Sequence, residues 1–313
     1  MKIVIFGGGG FIGSAIVDRL LLDGHDLRIF ERSRVEPYRQ FSEAEKVEWM
    51  VGDMLSINDI NHGLLDRDLA IHLASTTLPK SSNEDPIYDV QSNLVGTLQI
   101  LNTMVKLHVK KIIFISSGGT VYGTPQYLPI DESHPCNPQV SYGITKLAIE
   151  NYLHLYEKLH GIKALILRVT NPFGKRQRIE TAQGAVSVFL HRAISGQPLN
   201  IWGDGSTTRD YIYIDDVAEA FACAINYDGQ KSIFNVSQGV GTSLNELIAL
   251  IEETLGYPIE KHYLPARDID VTKNILSNQL LQQEMGWTPK TSLRDGIKIS
   301  AEWITKEINA QHK

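Results

Sequence analysis

The segment Lys2–Glu31 constrains the fold of this chain more than any other stretch. "KIVIF" (2–6) is a short apolar run rich in β-branched residues, the pattern of a strand buried on both faces. Four glycines (7–10) follow at once, and "SAIVDRLLLDGH" after Gly13 sets Ile16, Val17, Leu20 and Leu21 at helical spacing. A second strand, "DLRIFE", ends on Glu31, 18 positions past Gly13, close to the ~20 residues at which a carboxylate meets an adenosine ribose. Glycines allow close backbone approach, and a helix N-terminus turns unpaired N–H groups toward phosphate. Strand, turn, helix and acid in this order predict a bound dinucleotide. The glycines fit two registers, Gly8–Gly10–Gly13 as G-x-G-x-x-G and Gly7–Gly10–Gly13 as G-x-x-G-x-x-G, and the run alone does not choose between them.

Strand-like runs recur at "VEWMV" (47–51), "LAIHLA" (69–74), "KKIIFIS" (110–116) and "KALILR" (163–168), with helical segments at 93–107 and 143–161. This alternation predicts an α/β fold, a Rossmann-type doubly wound parallel sheet covered by helices on both faces. Past Phe173 the rhythm changes to longer polar connections and isolated helices, which read as a smaller C-terminal α/β substrate lobe. The expected division is a dinucleotide-binding domain over 1–172, with 210–236 returning to its sheet as strand, helix and strand, and a substrate lobe over 173–209 and 237–313.

Composition narrows the function. A net charge of −6 over 313 residues leaves no basic surplus for nonspecific nucleic-acid binding. Cys136 and Cys223 lie far apart with no metal-like spacing, so neither a zinc site nor a disulfide framework is expected. No signal peptide and no 18-residue apolar span is evident, so the reading is a cytoplasmic chain with no membrane span.

Three Tyr-x-x-x-Lys spacings occur: Tyr142–Lys146, Tyr227–Lys231 and Tyr257–Lys261. Tyr227 heads a turn-forming "YDGQK", and Pro258 disfavours helical geometry at Tyr257. Only "SYGITK" enters a long helix, with Ser141 or Pro138 to start it. There, i and i+4 share a face, and the Lys146 ammonium beneath the Tyr142 phenol would lower its pKa toward that of a general base.

At this point the chain resembles a known family. "GGGGFIG", "GDM" (52–54), "HLAS" (72–75), "NLVGT" (93–97), "SSGGTVYG" (116–123), "SYGITK", "RVTNPFG" (168–174) and "WGDGSTTRDYIYIDD" (202–216) occur in order over almost the whole chain. Together they resemble the extended short-chain dehydrogenases, specifically the NAD-dependent nucleotide-sugar epimerases and dehydratases. The resemblance implies the G-x-x-G-x-x-G register, with Gly7, Gly10 and Gly13 working and Gly8 and Gly9 incidental. It implies Phe11 and Ile12 over the pyrophosphate, Glu31 on the ribose with Arg32 beside it, and NAD rather than NADP as cofactor. Asp53 and Met54 would flank the adenine, Leu73, Ala74 and Ser75 would line the cofactor, and Asn93 would stand nearby. Asn171, Arg209 and Arg267 would hold the diphosphate of a nucleotide-sugar substrate, with UDP the expected nucleotide.

Two departures carry information. The family's third catalytic position, a Ser or Thr, is Gly118 here, so Thr120 is the preferred substitute, with Ser117 on the other side. The Asp-Glu pair of the sugar 4,6-dehydratases is absent, which sets that activity aside and leaves 4-epimerisation as the expected reaction, with a reductase and a non-catalytic NAD-binding protein as alternatives. Seven residues past Arg267, where a tyrosine restricts relatives to plain hexoses, stands Asn274, which implies room for an N-acetylhexosamine. Helices 93–107 and 143–160 each carry more apolar or aromatic surface than one buried face requires, including Leu153, Tyr156 and Leu159 on the second, and the resemblance implies that they pair in a homodimer.

Overall fold

The computed structural model describes residues 1–177, 184–266 and 271–311. Its strands are β1 (Lys2–Phe6), β2 (Asp26–Glu31), β3 (Val47–Val51), β4 (Leu69–His72), β5 (Lys111–Ser117), β6 (Lys163–Val169), β7 (Asn171–Phe173), β8 (Leu199–Trp202), β9 (Thr208–Tyr213), β10 (Ile233–Val236), β11 (Gly241–Ser243), β12 (Lys261–Leu264) and β13 (Lys273–Asn274). Its helices are α1 (Phe11–Leu22), α2 (Ile57–Leu64), α3 (Pro79–Glu84), α4 (Pro86–Asp89), α5 (Gly96–Leu107), α6 (Ser141–His160), α7 (Ala185–Ile194), α8 (Ile214–Asn226), α9 (Leu244–Leu255), α10 (Gln279–Met285) and α11 (Leu293–Gln311). A π-helical turn, Val90–Val95, joins α4 to α5.

Seven strands form one parallel sheet in the order β10-β6-β5-β4-β1-β2-β3. The order reverses between β1 and β4, which opens a crevice at the carboxyl ends of the strands. The sheet is buried on both sides because alternate residues of each strand face opposite ways. Ile3 and Ile5 join Ile16, Val17 and Leu20 of α1 and Val217 and Phe221 of α8. Val4 and Phe6 join Ile60 of α2, Ile100 and Met104 of α5, and Ile149 and Leu153 of α6. Burying each large aliphatic side chain contributes roughly 1.5–3 kcal/mol, so these two layers fix the crevice walls.

The return of 210–236 to the sheet differs from the expectation. Helix α8 and strand β10 do return, but β9 pairs with β7, β11 and β13 in a separate four-stranded sheet. Its apolar run looks like a central strand because Tyr211, Ile212 and Tyr213 are buried, yet its hydrogen-bonded neighbours are β7, β11 and β13. Nor is that lobe separately cored: Leu190, Leu247, Ile251 and Ile297 belong to the same apolar cluster as Ile3 and Ile5. Among the described residues no helix is long and apolar enough to cross a membrane.

Candidate active site

The crevice holds a cavity of about 810 Å³. Its floor is the glycine turn. Gly7 has φ +88°, and a Cβ there would lie 2.8 Å from the Ala74 backbone nitrogen at the end of β4. At Gly13 a Cβ would run into the Gly7 carbonyl and the Gly8 backbone, so α1 can seat itself against the turn only without a side chain. Gly10, the N-cap of α1, is different: a Cβ would meet only the Gly7 oxygen, at 3.5 Å. The room it keeps is room for a ligand. No side chain caps the first turn of α1, which leaves the early amides, those of Phe11, Ile12 and Gly13, as donors for an anion.

Gly8 and Gly9 are not incidental, contrary to the expectation. The Gly9 N–H donates to Glu31 Oε1 at 2.9 Å, and a Cβ on Gly9 would lie 2.6 Å from Cη2 of Trp49. A Cβ on Gly8 would press within 3.0 Å of Ile29 Cγ2. The run is thus closed in at Gly7, Gly8 and Gly9 and open at Gly10. Glu31, 7% exposed, also accepts from the Arg32 N–H at 3.3 Å. Two carboxylate oxygens offer about four acceptor sites, enough to serve this turn and a ribose hydroxyl together. Asp53, Met54, Leu73, Ala74 and Ser75 line the same cavity.

Sequence reasoning missed several lining residues: Thr76, Tyr88, Ser92 and, from the smaller lobe, Gln177. None sits in a motif whose spacing announces it. Asn93 does not line the cavity. It is buried, its amide donates to Thr77 Oγ1 and Asp89 Oδ1 (both 2.9 Å), and its carbonyl accepts from the Thr76 N–H at 2.9 Å. It shapes the wall from behind.

The dyad lies in the first two turns of α6. The helix opens at Val140 without a side-chain cap of its own; Ser82 and Asn83 of α3 supply that function, accepting from the N–H groups of Tyr142 (3.0 Å) and Ser141 (2.9 Å). Lys146 is buried; its ammonium donates to the Ile115 carbonyl at 3.0 Å and lies 4.6 Å from the Phe114 ring centre and 5.6 Å from that of Tyr142. Burial pushes its pKa down to about 8. Tyr142 is half-buried in accessible area but closely surrounded, and its hydroxyl has no partner among the described residues. Desolvation, with the charge of Asp89 adding to it, pushes the phenol up to about 12. The expected lowering is therefore not a property of the chain alone. An ammonium 5.6 Å from the ring centre does not offset the loss of water.

The other two tyrosines stand outside this arrangement. Tyr227 ends α8 and donates to Glu284 at 2.7 Å, while exposed Tyr257 donates to the Ala193 carbonyl at 3.3 Å.

Beside the dyad, β5 ends in Ser117, followed by Gly118. Thr120 Oγ1 is buried without a partner among the described residues. A side chain at Gly118 would run into Leu276, so the space a Ser or Thr would fill is already taken. Asn274, expected at the sugar, is 2% exposed on β13 and donates to the Gly118 carbonyl at 3.2 Å, with its own Oδ1 buried and unpaired among the described residues. Arg209 lies opposite Asn274 in register, donating to the Thr208 carbonyl at 3.0 Å, and Asn171 donates to the Asp210 carbonyl at 3.0 Å. The small sheet thus gathers Asn171, Arg209 and Asn274. Arg267 lies outside the described residues.

A glycine-turn cavity at the carboxyl edge of a parallel sheet, with a Tyr–Lys pair on a helix packed against β5 of that sheet, defines a dinucleotide-dependent enzyme of the short-chain dehydrogenase class. The chain belongs to the NAD dependent epimerase/dehydratase family, whose model matches residues 3–237. It is 36% identical to a UDP-glucose 4-epimerase of Mycolicibacterium smegmatis, over 97% of this chain and 98% of the relative. It is 32% identical to a dTDP-4-dehydro-6-deoxyglucose reductase of Escherichia coli, over 94% and 95%. Among solved structures it is similar to the UDP-glucose 4-epimerase of Thermotoga maritima with UDP-glucose, at TM-score 0.93 and 33% identity, covering 98% of this chain and 100% of that one. The open side at Gly10 and the unpaired donors of Lys146 fit NAD, the cofactor of the family.

Proposed function

We propose that the chain is an NAD-dependent nucleotide-sugar epimerase, inverting carbon 4 of a UDP-hexose or UDP-N-acetylhexosamine through a transient 4-keto sugar. The observation that carries the reading is the placement of Tyr142 and Lys146 on one face of α6, with Lys146 tied to the Ile115 carbonyl of β5, in the same sheet whose crevice holds the glycine turn. Bound NAD supplies the acceptor, and then the donor, of the hydride. Tyr142 takes the proton of the sugar 4-hydroxyl and later returns it. Lys146, held by the Ile115 carbonyl, keeps two further donors for ribose hydroxyls and its charge beside the phenol. Thr120 Oγ1, buried with an unmet hydrogen bond, replaces the hydroxyl that Gly118 lacks. Asn171, Arg209 and Arg267 hold the diphosphate, so the nucleotide stays anchored while the keto sugar turns.

The reductase reading is kept because of the Escherichia coli relative. The deciding experiment incubates the chain with UDP-, GDP- and dTDP-sugars without added cofactor and identifies the product. Epimer formed at constant nicotinamide absorbance supports the proposal; stoichiometric consumption of NADH with a 4-keto substrate supports the reductase. The protein is further proposed to act as a homodimer, since α6 leaves Ile144, Tyr152, Leu155 and Leu159 exposed, next to exposed Ile87, Val90 and Val95. Leu153 and Tyr156 are not part of that surface: Leu153 is core and Tyr156 packs inward, donating to Asn102 at 2.7 Å.

A further inference from the structure

Asp89, the last residue of α4, is fully buried, and no cation pairs with it among the described residues. Its carboxylate is instead surrounded by neutral donors. Oδ1 accepts from Thr77 and from Asn93 at 2.9 Å; Oδ2 accepts from Ser141 at 2.8 Å and Thr145 at 2.7 Å. Two of these donors belong to the first turns of α6, one residue before Tyr142 and one before Lys146. The other two belong to the loop after β4 and the π turn, behind the cavity wall. The positive end of α6 adds to the support of the charge.

We infer that Asp89 is a positioning residue for the reaction, clamping the start of α6 to the cavity wall so that Tyr142 and Lys146 hold one fixed placement. This rests on the reading of Tyr142 as the group that takes the sugar proton. Geometry alone would not need a carboxylate. Its partners are three hydroxyls, which can donate or accept, and an amide, so an asparagine could bridge them at a smaller desolvation penalty. The distinguishing property of Asp89 is its charge. That charge favours protonated Lys146 against burial, and it holds the proton on Tyr142.

Other titratable or charged groups act beside Asp89, and Glu150 supports the charge of Lys146 more strongly than Asp89 does. Glu150, one turn beyond Lys146, is paired at 2.5 Å with Arg168 of β6. His72 of β4 is kept neutral by burial, with Nε2 on Thr97 at 2.9 Å. Removing the charge at 89 therefore shifts both dyad members the same way, toward deprotonation at lower pH.

The test uses the full chain loaded with NAD and compares Asp89→Asn, Asp89→Ala and the double variant Ser141→Ala/Thr145→Val with wild type. Asp89→Asn is expected to keep kcat near its optimum within about ten-fold and to move both limbs of the kcat/KM–pH profile to lower pH, by about half a unit or more. The double variant cuts the clamp from the helix side with the charge retained. It is expected to lower kcat with KM little changed and both limbs in place, and it carries the geometric arm if Asp89→Ala does not fold. An unmoved profile in Asp89→Asn overturns the electrostatic role; a double variant as fast as wild type overturns the clamp. Tyr142→Phe, assayed alongside, keeps the two readings apart: if it stays active, the role of Tyr142 falls whatever Asp89 does.

Discussion

Asn274 of β13 donates to the carbonyl of Gly118, at the end of β5, across 3.2 Å. Two residues on, Leu276 fills the space that a side chain at 118 would occupy. The small lobe therefore closes over the position where the family carries its hydroxyl, and two buried polar atoms, Thr120 Oγ1 and Asn274 Oδ1, are left without partners beside it. Unmet buried acceptors and donors are destabilising by about 1–3 kcal/mol each, and a sugar with hydroxyl or acetamido groups would relieve them.

This bears on substrate choice. The wild type is expected to turn over UDP-N-acetylglucosamine at least as well as UDP-glucose, and Asn274→Tyr to shift the kcat/KM ratio toward UDP-glucose. Because position 274 is buried, the tyrosine also overpacks its surroundings, at roughly 1–3 kcal/mol. The ratio of the two substrates in one variant is free of that loss. An unchanged ratio removes residue 274 as the gate.

Tyr142→Phe is expected to keep fold and NAD affinity and to lose at least about two orders of magnitude in kcat, the scale of a general base. Tyr257→Phe, which removes only an exposed hydroxyl 3.3 Å from a carbonyl, is the matched control. Steady-state turnover of both, on the substrate identified by the product assay, checks the assignment.

Gly9→Ala tests the glycine turn where the sequence motif is silent. The added methyl would lie 2.6 Å from the Trp49 ring and press on Val35 and Glu31. An expected destabilisation of about 1–3 kcal/mol should come with weaker NAD binding, because Glu31 moves with the Gly9 N–H it accepts. Denaturant midpoints and NAD titration measure the two. Unchanged affinity in a folded variant would separate the turn from the ribose site.

Much of this was legible in the sequence because local signals and tertiary environment agreed. "KIVIF" is buried on both sides and reads so; "SYGITK" sits where a helix must start. The failures have a common physical cause, the dependence of a residue's role on a distant partner. Gly9 needs Trp49, 40 positions away, and β9 has the composition of a central strand but finds β7 and β13. Asp89 and Asn93 act through hydroxyls on α6 and the 76–77 loop, a meeting that no spacing encodes.

The exposed stripe on α6 yields a further expectation. Ile144, Tyr152, Leu155 and Leu159 recur at intervals that keep one helical face, and with the α4–α5 residues they form an apolar patch of the kind that marks a protein contact. A mass of two chains is expected by light scattering at micromolar concentration, and the pair Leu155→Glu and Leu159→Glu should halve it without loss of secondary structure. A monomeric wild type ends the idea.

Asp210 gives the clearest dependence of stability on pH. It is fully buried on β9 and accepts from the N–H groups of Gln238 (2.9 Å), Gly239 (3.1 Å) and Leu276 (3.3 Å). Burial outweighs those donors and raises its pKa from 3.8 to about 7. The folded chain then binds more protons than the unfolded chain between these values, so stability falls as pH rises through that window, by at most about 1.4 kcal/mol per unit. The contribution is whole below the unfolded value and gone above the folded one. Asp210→Asn titrates in neither state. The gap, wild type minus variant, is therefore expected to fall as pH rises from about 4 to about 7. Urea unfolding of both proteins across that range measures the gap directly. A gap that widens with pH would mean that the three N–H groups hold Asp210 as a carboxylate throughout.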